Sequence, residues 1–400
     1  MDEVELTVDR IAVGGKGLGL DSNRRVTFVA GAIPTERVRA QITSERSRFA
    51  ESEVIEVLEP SLDRVDPSCA HAVGPHRCGG CDWQHVSEQG QRRLRVAMVE
   101  DALRRVGKLD TTSLTIRSAR SLPASAYRTG VRMLVDGNGR LCYRRRRSND
   151  GFRPESCEVA HPLVDGLIQD ALCPGSTEVS LRVGARTGER MLVVDGEPGE
   201  VTAPEDVSVV RVGDGPTAHV HEIVSGTRLR ISAGAFFQSS PQGAELLVEL
   251  ADRALHGVDR SGVLIDAYAG GGLFSATVGR GWSDSGSVIA VETNSAAVAD
   301  ARVNAPHARI EHARFERWKP VRADAVIADP ARAGLAAGGA ETIVASAAAV
   351  VVLVSCDAAA LGRDAGLLTS AGYAVTDVAV VDMFNQTSHV EVVTRFEKIS

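Results

Sequence analysis

A chain of 400 residues, 44% hydrophobic and 24% charged, is too long for one ordinary core and implies two or three domains. No apolar run approaches the roughly 18 to 20 residues a membrane helix needs, and the acidic start MDEVELTVDR is unlike a signal peptide, so a cytoplasmic protein with no membrane partner is expected. Seven cysteines, unevenly placed, are too few for a disulfide framework and direct attention to metal binding or catalysis.

The net charge of −7 hides an uneven distribution, with 26 Lys+Arg against 22 Asp+Glu in residues 1–160 and 19 against 30 in the remainder. Surplus cations cluster at Arg92, Arg93 and Arg95, at Arg104, Arg105 and Lys108, and at Arg144 to Arg147. Each cluster suits a solvated face or a phosphate contact, so the acidic total does not exclude a nucleic-acid partner.

From Glu3 to about Glu59, short alternating stretches (VELTVDRI, RVTFVAG, ERVRAQIT, EVIEVLEP) are divided by polar or Gly-rich turns, which predicts a small OB-like β-barrel over 1–59. Barrels of this kind often bind single-stranded nucleic acid. Its glycines are no phosphate loop, because no GK[ST] follows. Next, Cys69, Cys78 and Cys81 form a C-x8-C-x2-C array with Cys157 far downstream. Four thiolates suit an iron–sulfur cluster or zinc, with His71, His76 and His85 as possible substitutes. Helical periodicity runs from Ser87 to Lys108, in a helix that could pack on the last domain. Strand-like, turn-rich text follows to Arg230, completing a central α+β domain over 60–234. Cys142 and Cys173 have no sequence partners and read as structural.

From Ala235 to the end strands and helices alternate, which predicts a parallel doubly wound α/β domain over 235–400. Pro241 can begin its first helix. In VLIDAYAGGGLFSATVG a strand runs into glycines and a helix, and the strand VIAVET ends in Glu292, where a carboxylate can hold two ribose hydroxyls. A dinucleotide site would look similar. S-adenosylmethionine (SAM) needs the same devices plus a carboxylate near its sulfonium, which Asp266 or Asp329 could supply. The buried-looking run VVLVSCD ends in Cys356, placed where such sheets display reacting groups, although a lone cysteine after an apolar run is commonly inert.

Taken together, the cysteine cluster, FFQ, D-x-Y-x-G-x-G, V-x-x-D-P-x-R-x-G, V-S-C and DMF-x-x-T-x-HVE resemble, in this order and over nearly the whole length, the RNA uracil-C5 methyltransferases that form 5-methyluridine in tRNA and ribosomal RNA. The resemblance implies a class I SAM-methyltransferase domain behind a TRAM barrel. It implies that Gln238, Tyr268, Glu292 and Asp329 line the SAM site, that Cys356 is the nucleophile and Glu391 the base, and that Cys69, Cys78, Cys81 and Cys157 hold a [4Fe–4S] cluster. The partner implied is tRNA or rRNA, and no obligate protein partner is inferred. Ala331, Asp357, Ala358 and Asn385 depart from the family pattern, as does the longer spacing from Cys69 to Cys78.

The implied chemistry accounts for the residue types. Uracil C5 becomes nucleophilic only when a thiolate adds to C6, and a helix N-terminus after Asp357 or the nearby Arg363 could favour that thiolate. A carboxylate must then take the C5 proton so that the thiol can leave. The base must be extruded from its stack, with Phe236 and Phe237 as stacking candidates. Two other readings compete: a catalytically inactive iron–sulfur or zinc RNA-binding protein, and an NAD-dependent oxidoreductase, for which no hydride-site constellation is evident.

Overall fold

The computed structural model describes residues 2–74, 77–197, 199–214, 218–282 and 286–399. His76 lies outside them. No helix among the described residues is long and apolar enough to cross a membrane.

Strands β1 (Glu3–Ile11), β2 (Gly17–Leu20), β3 (Val26–Ala30), β4 (Arg37–Glu45) and β5 (Phe49–Glu59) close into a barrel in the order β1-β2-β3-β5-β4. Alternating side chains such as Leu6, Val8, Val38 and Ala40 fill it, as period-2 patterning dictates. Helix α1 (Glu88–Arg105) follows, capped by Ser87 through the Gly90 amide, and then β6 (Ile116–Ser118). A second sheet contains β7 (Gly130–Val135), β8 (Leu141–Arg144) and β9 (Gly151–Phe152); after α2 (Pro162–Asp170), it is completed by β10 (Ser176–Val183), β11 (Arg190–Gly196) and β12 (Val207–Arg211). The hairpin of β13 (His219–Val224) and β14 (Thr227–Ser232) leads into the last domain.

There α3 (Pro241–Ala254), β15 (Val263–Ala267), α4 (Leu273–Ala276), β16 (Ser287–Glu292), α5 (Ser295–Asn304), β17 (Arg309–His312), β18 (Ala325–Ala328), α6 (Ala336–Ser346), β19 (Val350–Ser355), α7 (Ala358–Ser370), β20 (Tyr373–Val381) and β21 (Glu391–Lys398) follow in sequence. The sheet order is β17-β16-β15-β18-β19-β21-β20-β6. Its first five strands are parallel, whereas β21 is antiparallel to both β19 and β20. The sheet is therefore mixed rather than purely parallel. A β-hairpin-like ending needs no crossover helix, and the alternation that predicts parallel strands stops after α7.

The strands of β18 and β19 are buried throughout, with alternate residues facing two different layers. Val351 and Leu353 pack toward α1, α6 and α7. Val350, Val352 and Val354 pack toward α3, α4 and the β13–β14 hairpin. At the crossing of α1 and α7, a Cβ on Gly362 would lie 2.5 Å from the Ala102 carbonyl oxygen, so the close approach requires glycine there. Thus α1 and β6, distant in sequence from the last domain, are part of its layers.

One side chain fixes this arrangement. Arg95 on α1 is 0% exposed. Its guanidinium donates to the carbonyls of His389 (3.0 Å), Phe384 (3.0 Å) and Thr387 (2.9 Å), to Asp382 (3.2 Å) and to Gln91 (3.2 Å), and lies 5.6 Å from the centre of the Trp83 ring. Five bonds satisfy a buried cation and pin the 382–389 loop to the helix. We expect Arg95→Leu to cost about 3–5 kcal/mol, because Asp382 and three carbonyls lose their donor. Urea denaturation checks this, and a loss near zero would show that the loop is held by other contacts.

Candidate active site at the sheet edge

The ends of β15, β16, β18 and β19 and the start of the antiparallel β21 lie along one edge of the sheet. Cys356 follows β19, Asp329 follows β18, Glu292 ends β16, and Glu391 opens β21 one residue before Val392, the cross-strand partner of Ser355. Register alone thus sets the Glu391 carboxylate beside the Cys356 thiol.

Some of these residues line two cavities. One, of about 290 Å³, is lined by Cys356, Arg332, His389, Asp82 and Met98, with Val13 and Gly14 of the barrel's first turn at its wall. The other, of about 200 Å³, is lined by Tyr268, Glu292, Thr293, Arg314, Phe315 and Glu316. Gln238 and Asp329 form a pair, Gln238 Nε2 donating to Asp329 at 3.0 Å. Of the four residues expected at the cofactor, Tyr268 and Glu292 thus share a cavity, while Asp329 acts electrostatically on both Cys356 and Glu391.

Glu292 accepts from the Gly270 amide at 2.9 Å and from the Thr293 and Asn294 amides at 2.7 and 2.6 Å. Oε1 takes the Thr293 and Asn294 bonds and Oε2 the Gly270 bond, so the carboxylate is held in place and Oε2 keeps a lone pair for a ribose hydroxyl. Tyr268, at a positive φ of 58°, donates to Glu316 at 2.9 Å. Asp266 is fully buried and accepts from the Ser275 amide (2.8 Å) and hydroxyl (2.6 Å), which ties the first strand to α4. Burial pushes Asp266 up to about 6 in spite of those bonds.

The electrostatics around the thiol are dominated by crowded acids. Burial, then the Asp266 charge, push Asp329 up to about 7 against the pull of Gln238. Glu391 is 2% exposed, and burial followed by Asp329 raises it well above the usual carboxylate range. One of its oxygens has no hydrogen-bond partner among the described residues. Burial, Glu391 and Asp329 push the half-buried Cys356 up to about 12, while Arg332 pulls it back. The opposing cation is therefore Arg332. Arg363, the expected one, is turned away onto Asp364 (2.9 Å) and the Ala333 carbonyl (2.5 Å).

The departures from the family pattern have local explanations. Asp357 caps α7, accepting from the Ala360 amide at 2.8 Å, and Ala358 is the buried first residue of that helix. Asn385 donates to the Leu122 and Pro123 carbonyls at 3.3 and 3.0 Å, and Tyr127 donates to its carbonyl at 2.8 Å. Ala331 is exposed, and nothing in the structure explains it. Phe237 packs in the core, whereas Phe236 is 70% exposed, so only Phe236 is free to stack on a ligand.

Cys69, Cys78, Cys81 and Cys157 line a separate cavity with His71, Tyr143 and Phe152. A single turn at Ala70–Ala72 takes up chain between the first two, and the Cys78 amide returns to the His71 carbonyl at 2.8 Å. Among the described residues, no three His, Cys, Asp or Glu side chains stand close enough together to hold a metal ion. The thiols surround one space without gathering to a point. His85 lines an adjoining cavity with Arg64, Arg77 and Arg146, which shares Cys81 with the cavity of the four cysteines. Cys142 and Cys173 are buried.

Arg332, His389, Asp82 and the barrel turn were not identified as site residues from sequence. Arg332 and His389 stand inside quoted motifs, but Asp82, Val13 and Gly14 reach the cavity only through packing. Trp83 explains that packing: its indole donates to the Gly15 carbonyl at 3.1 Å, and its amide donates to the Gln386 carbonyl at 3.0 Å. A Cβ on Gly15, whose φ is 77°, would lie 2.1 Å from the Ser388 Cβ.

No family model matches the chain. It is 34% identical to an uncharacterized RNA methyltransferase of Streptomyces avermitilis, over 99% of this chain and 98% of that one. It is 30% identical to the 23S rRNA (uracil(1939)-C(5))-methyltransferase of Chromohalobacter salexigens, over 96% of this chain and 87% of that one. The crystal structure of Pyrococcus abyssi tRNA (uracil-54, C5)-methyltransferase in complex with S-adenosyl-L-homocysteine shares the fold, with a TM-score of 0.72 at 19% identity over 98% and 99% of the two chains. The mixed eight-stranded sheet, the motif order and these full-length likenesses agree: the chain belongs to the RNA uracil-C5 methyltransferase family.

Proposed function

We propose that this chain transfers a methyl group to C5 of a uridine in tRNA or rRNA, through a covalent adduct of Cys356. The observation that carries the reading is the placing of a half-buried thiol and a buried, partly unpartnered carboxyl side by side at the sheet edge, with Asp329 acting on both. SAM supplies the methyl group, held by Tyr268 and Glu292 in the 200 Å³ cavity. Gln238 and Asp329 orient the polar edge of the uracil or the cofactor.

The Cys356 thiolate adds to C6, the ring's π electrons move to O4 as an enolate, and C5 would take the methyl group as the S–CH3 bond of the sulfonium breaks and S-adenosylhomocysteine leaves with its electrons. Glu391 then removes the C5 proton, the C5–C6 double bond re-forms, and Cys356 leaves with the electrons of the S–C bond. A carboxyl raised by burial is a stronger base than an ordinary one, which suits that proton. Phe236 stacks on an extruded base. The barrel, 1–59, serves as a TRAM-like RNA-binding part, the 60–234 region carries the cysteines, and 235–400 carries the chemistry.

The four cysteines would hold a [4Fe–4S] cluster, or zinc as the alternative, once the thiols draw inward from where they stand around the cavity. Four thiols around one cavity are the support for it, and either group would repay the burial that pushes Cys81 up to about 12. An inactive RNA-binding protein has less support, since the altered residues cap a helix or anchor a loop and remove no reacting group.

With labelled SAM and a uridine-containing transcript, Cys356→Ala should lose transfer by at least about a thousandfold while SAM binding by calorimetry is retained. Turnover within a few-fold of the unaltered chain would sink the mechanism. Anaerobically purified protein should show broad absorbance extending into the visible with about four irons per chain; stoichiometric zinc and a colourless protein would decide for zinc.

A further inference from the structure

The run Arg144 to Arg147 reads in sequence as a charge cluster with no assigned use, and a solvated face is the ordinary fate of such runs. Its setting is different. Arg144, Arg145 and Arg147 line an open groove of about 650 Å³ together with Arg128, Arg132 and Tyr143, and no acidic side chain lines it. The nearest compensation is Glu178, which Arg132 and Arg144 share. Arg147 is exposed, at a φ of 55°, and makes no ion pair among the described residues. Arginines gathered around one concave surface favour an anion there beyond the charge that Glu178 offsets on Arg132 and Arg144.

The groove is built rather than incidental. Its floor at Gly79 and Gly80 belongs to the cysteine loop, which is zipped by backbone hydrogen bonds to the arginine ridge. Gly79 donates to the Arg144 carbonyl at 3.0 Å, Arg146 donates to the Arg77 carbonyl at 2.9 Å, and Cys78 bridges to Arg145. The Arg145 guanidinium lies 5.2 Å from the centre of the Phe152 ring, and Phe152 with Tyr143 also lines the cysteine cavity. At the other end, the charge of Arg128 reaches His389, which lines the Cys356 cavity.

We propose that this groove binds the phosphodiester backbone of the RNA nucleotides flanking the target uridine, and that the cysteine loop sets its shape. The proposal rests on the methyltransferase reading for the identity of the target. Arginine forks match phosphate oxygens, the open concave shape admits a strand, and Tyr143 offers a ring to an unstacked base.

The test uses the full-length chain and a fluorescein-labelled single-stranded RNA containing uridine, with dissociation constants measured by anisotropy over a range of salt. The triple variant Arg132→Gln, Arg145→Gln, Arg147→Gln should weaken binding about tenfold or more. It should also reduce the slope of log affinity against log salt by about 2, the loss of three single-strand phosphate contacts. Binding of S-adenosylhomocysteine should be unchanged, which excludes gross misfolding, and the corresponding triple Lys variant should restore most of the slope. Unchanged affinity and slope would overturn the groove. So would displacement of the RNA by poly-glutamate as effectively as by unlabelled RNA, which would point to an acidic protein instead. Should the unaltered chain bind RNA with the expected slope and methylate no uridine, the proposed function fails while the groove stands.

Discussion

The buried Arg95 guanidinium is the constraint on which the rest depends. A cation removed from water must be met by acceptors on every side. Here those acceptors are the backbone of 382–389 and Asp382, nearly three hundred residues further along the chain. The loop so held leads directly into Glu391, and its Gln386 and Ser388 meet Trp83 and Asp82. Through Trp83 the barrel turn is drawn to the same place. The candidate site at the sheet edge, built from C-terminal strands, therefore draws its wall in part from residues of the first hundred positions.

The second governing feature is acid crowding. Asp266, Asp329 and Glu391 are each raised, burial being the largest cause, with a neighbouring carboxylate adding to Asp329 and Glu391. Charge on Asp329 disfavours charge on Glu391, so these two titrate as a pair. The Cys356 thiol is raised by the same carboxylates, which means that a proton resting on Glu391 or Asp329 eases ionisation of the thiol. Arg332 is the cation that opposes these carboxylates at the thiol.

Much of this was legible in the sequence, and for identifiable reasons. Period-2 alternation pointed to four of the five barrel strands, β2 (Gly17–Leu20) lying in a stretch whose glycines read as a turn, and Pro241 marked a helix start. VVLVS read as a strand buried on both faces because it is one. What escaped was set by packing between distant segments. The antiparallel β21 has no local signal beyond the lack of a crossover helix. The use of Arg332 rather than Arg363 depends on where Asp364 lies. Likewise, Phe236 and Phe237 look alike in sequence, and only the core decides that one is buried and the other exposed. The cysteines were visible as a set, while their separation around a cavity was not.

The claim at the centre of this account is that Cys356 bonds to the base and Glu391 resolves the bond. Intact-mass measurement of the Glu391→Gln variant after incubation with SAM and a uridine-containing RNA tests it most directly. A species heavier than the protein by one methylated RNA, stable to denaturant and absent when Cys356 is also replaced, is the result expected. Free protein with normally methylated RNA, or an adduct that persists without Cys356, would contradict it.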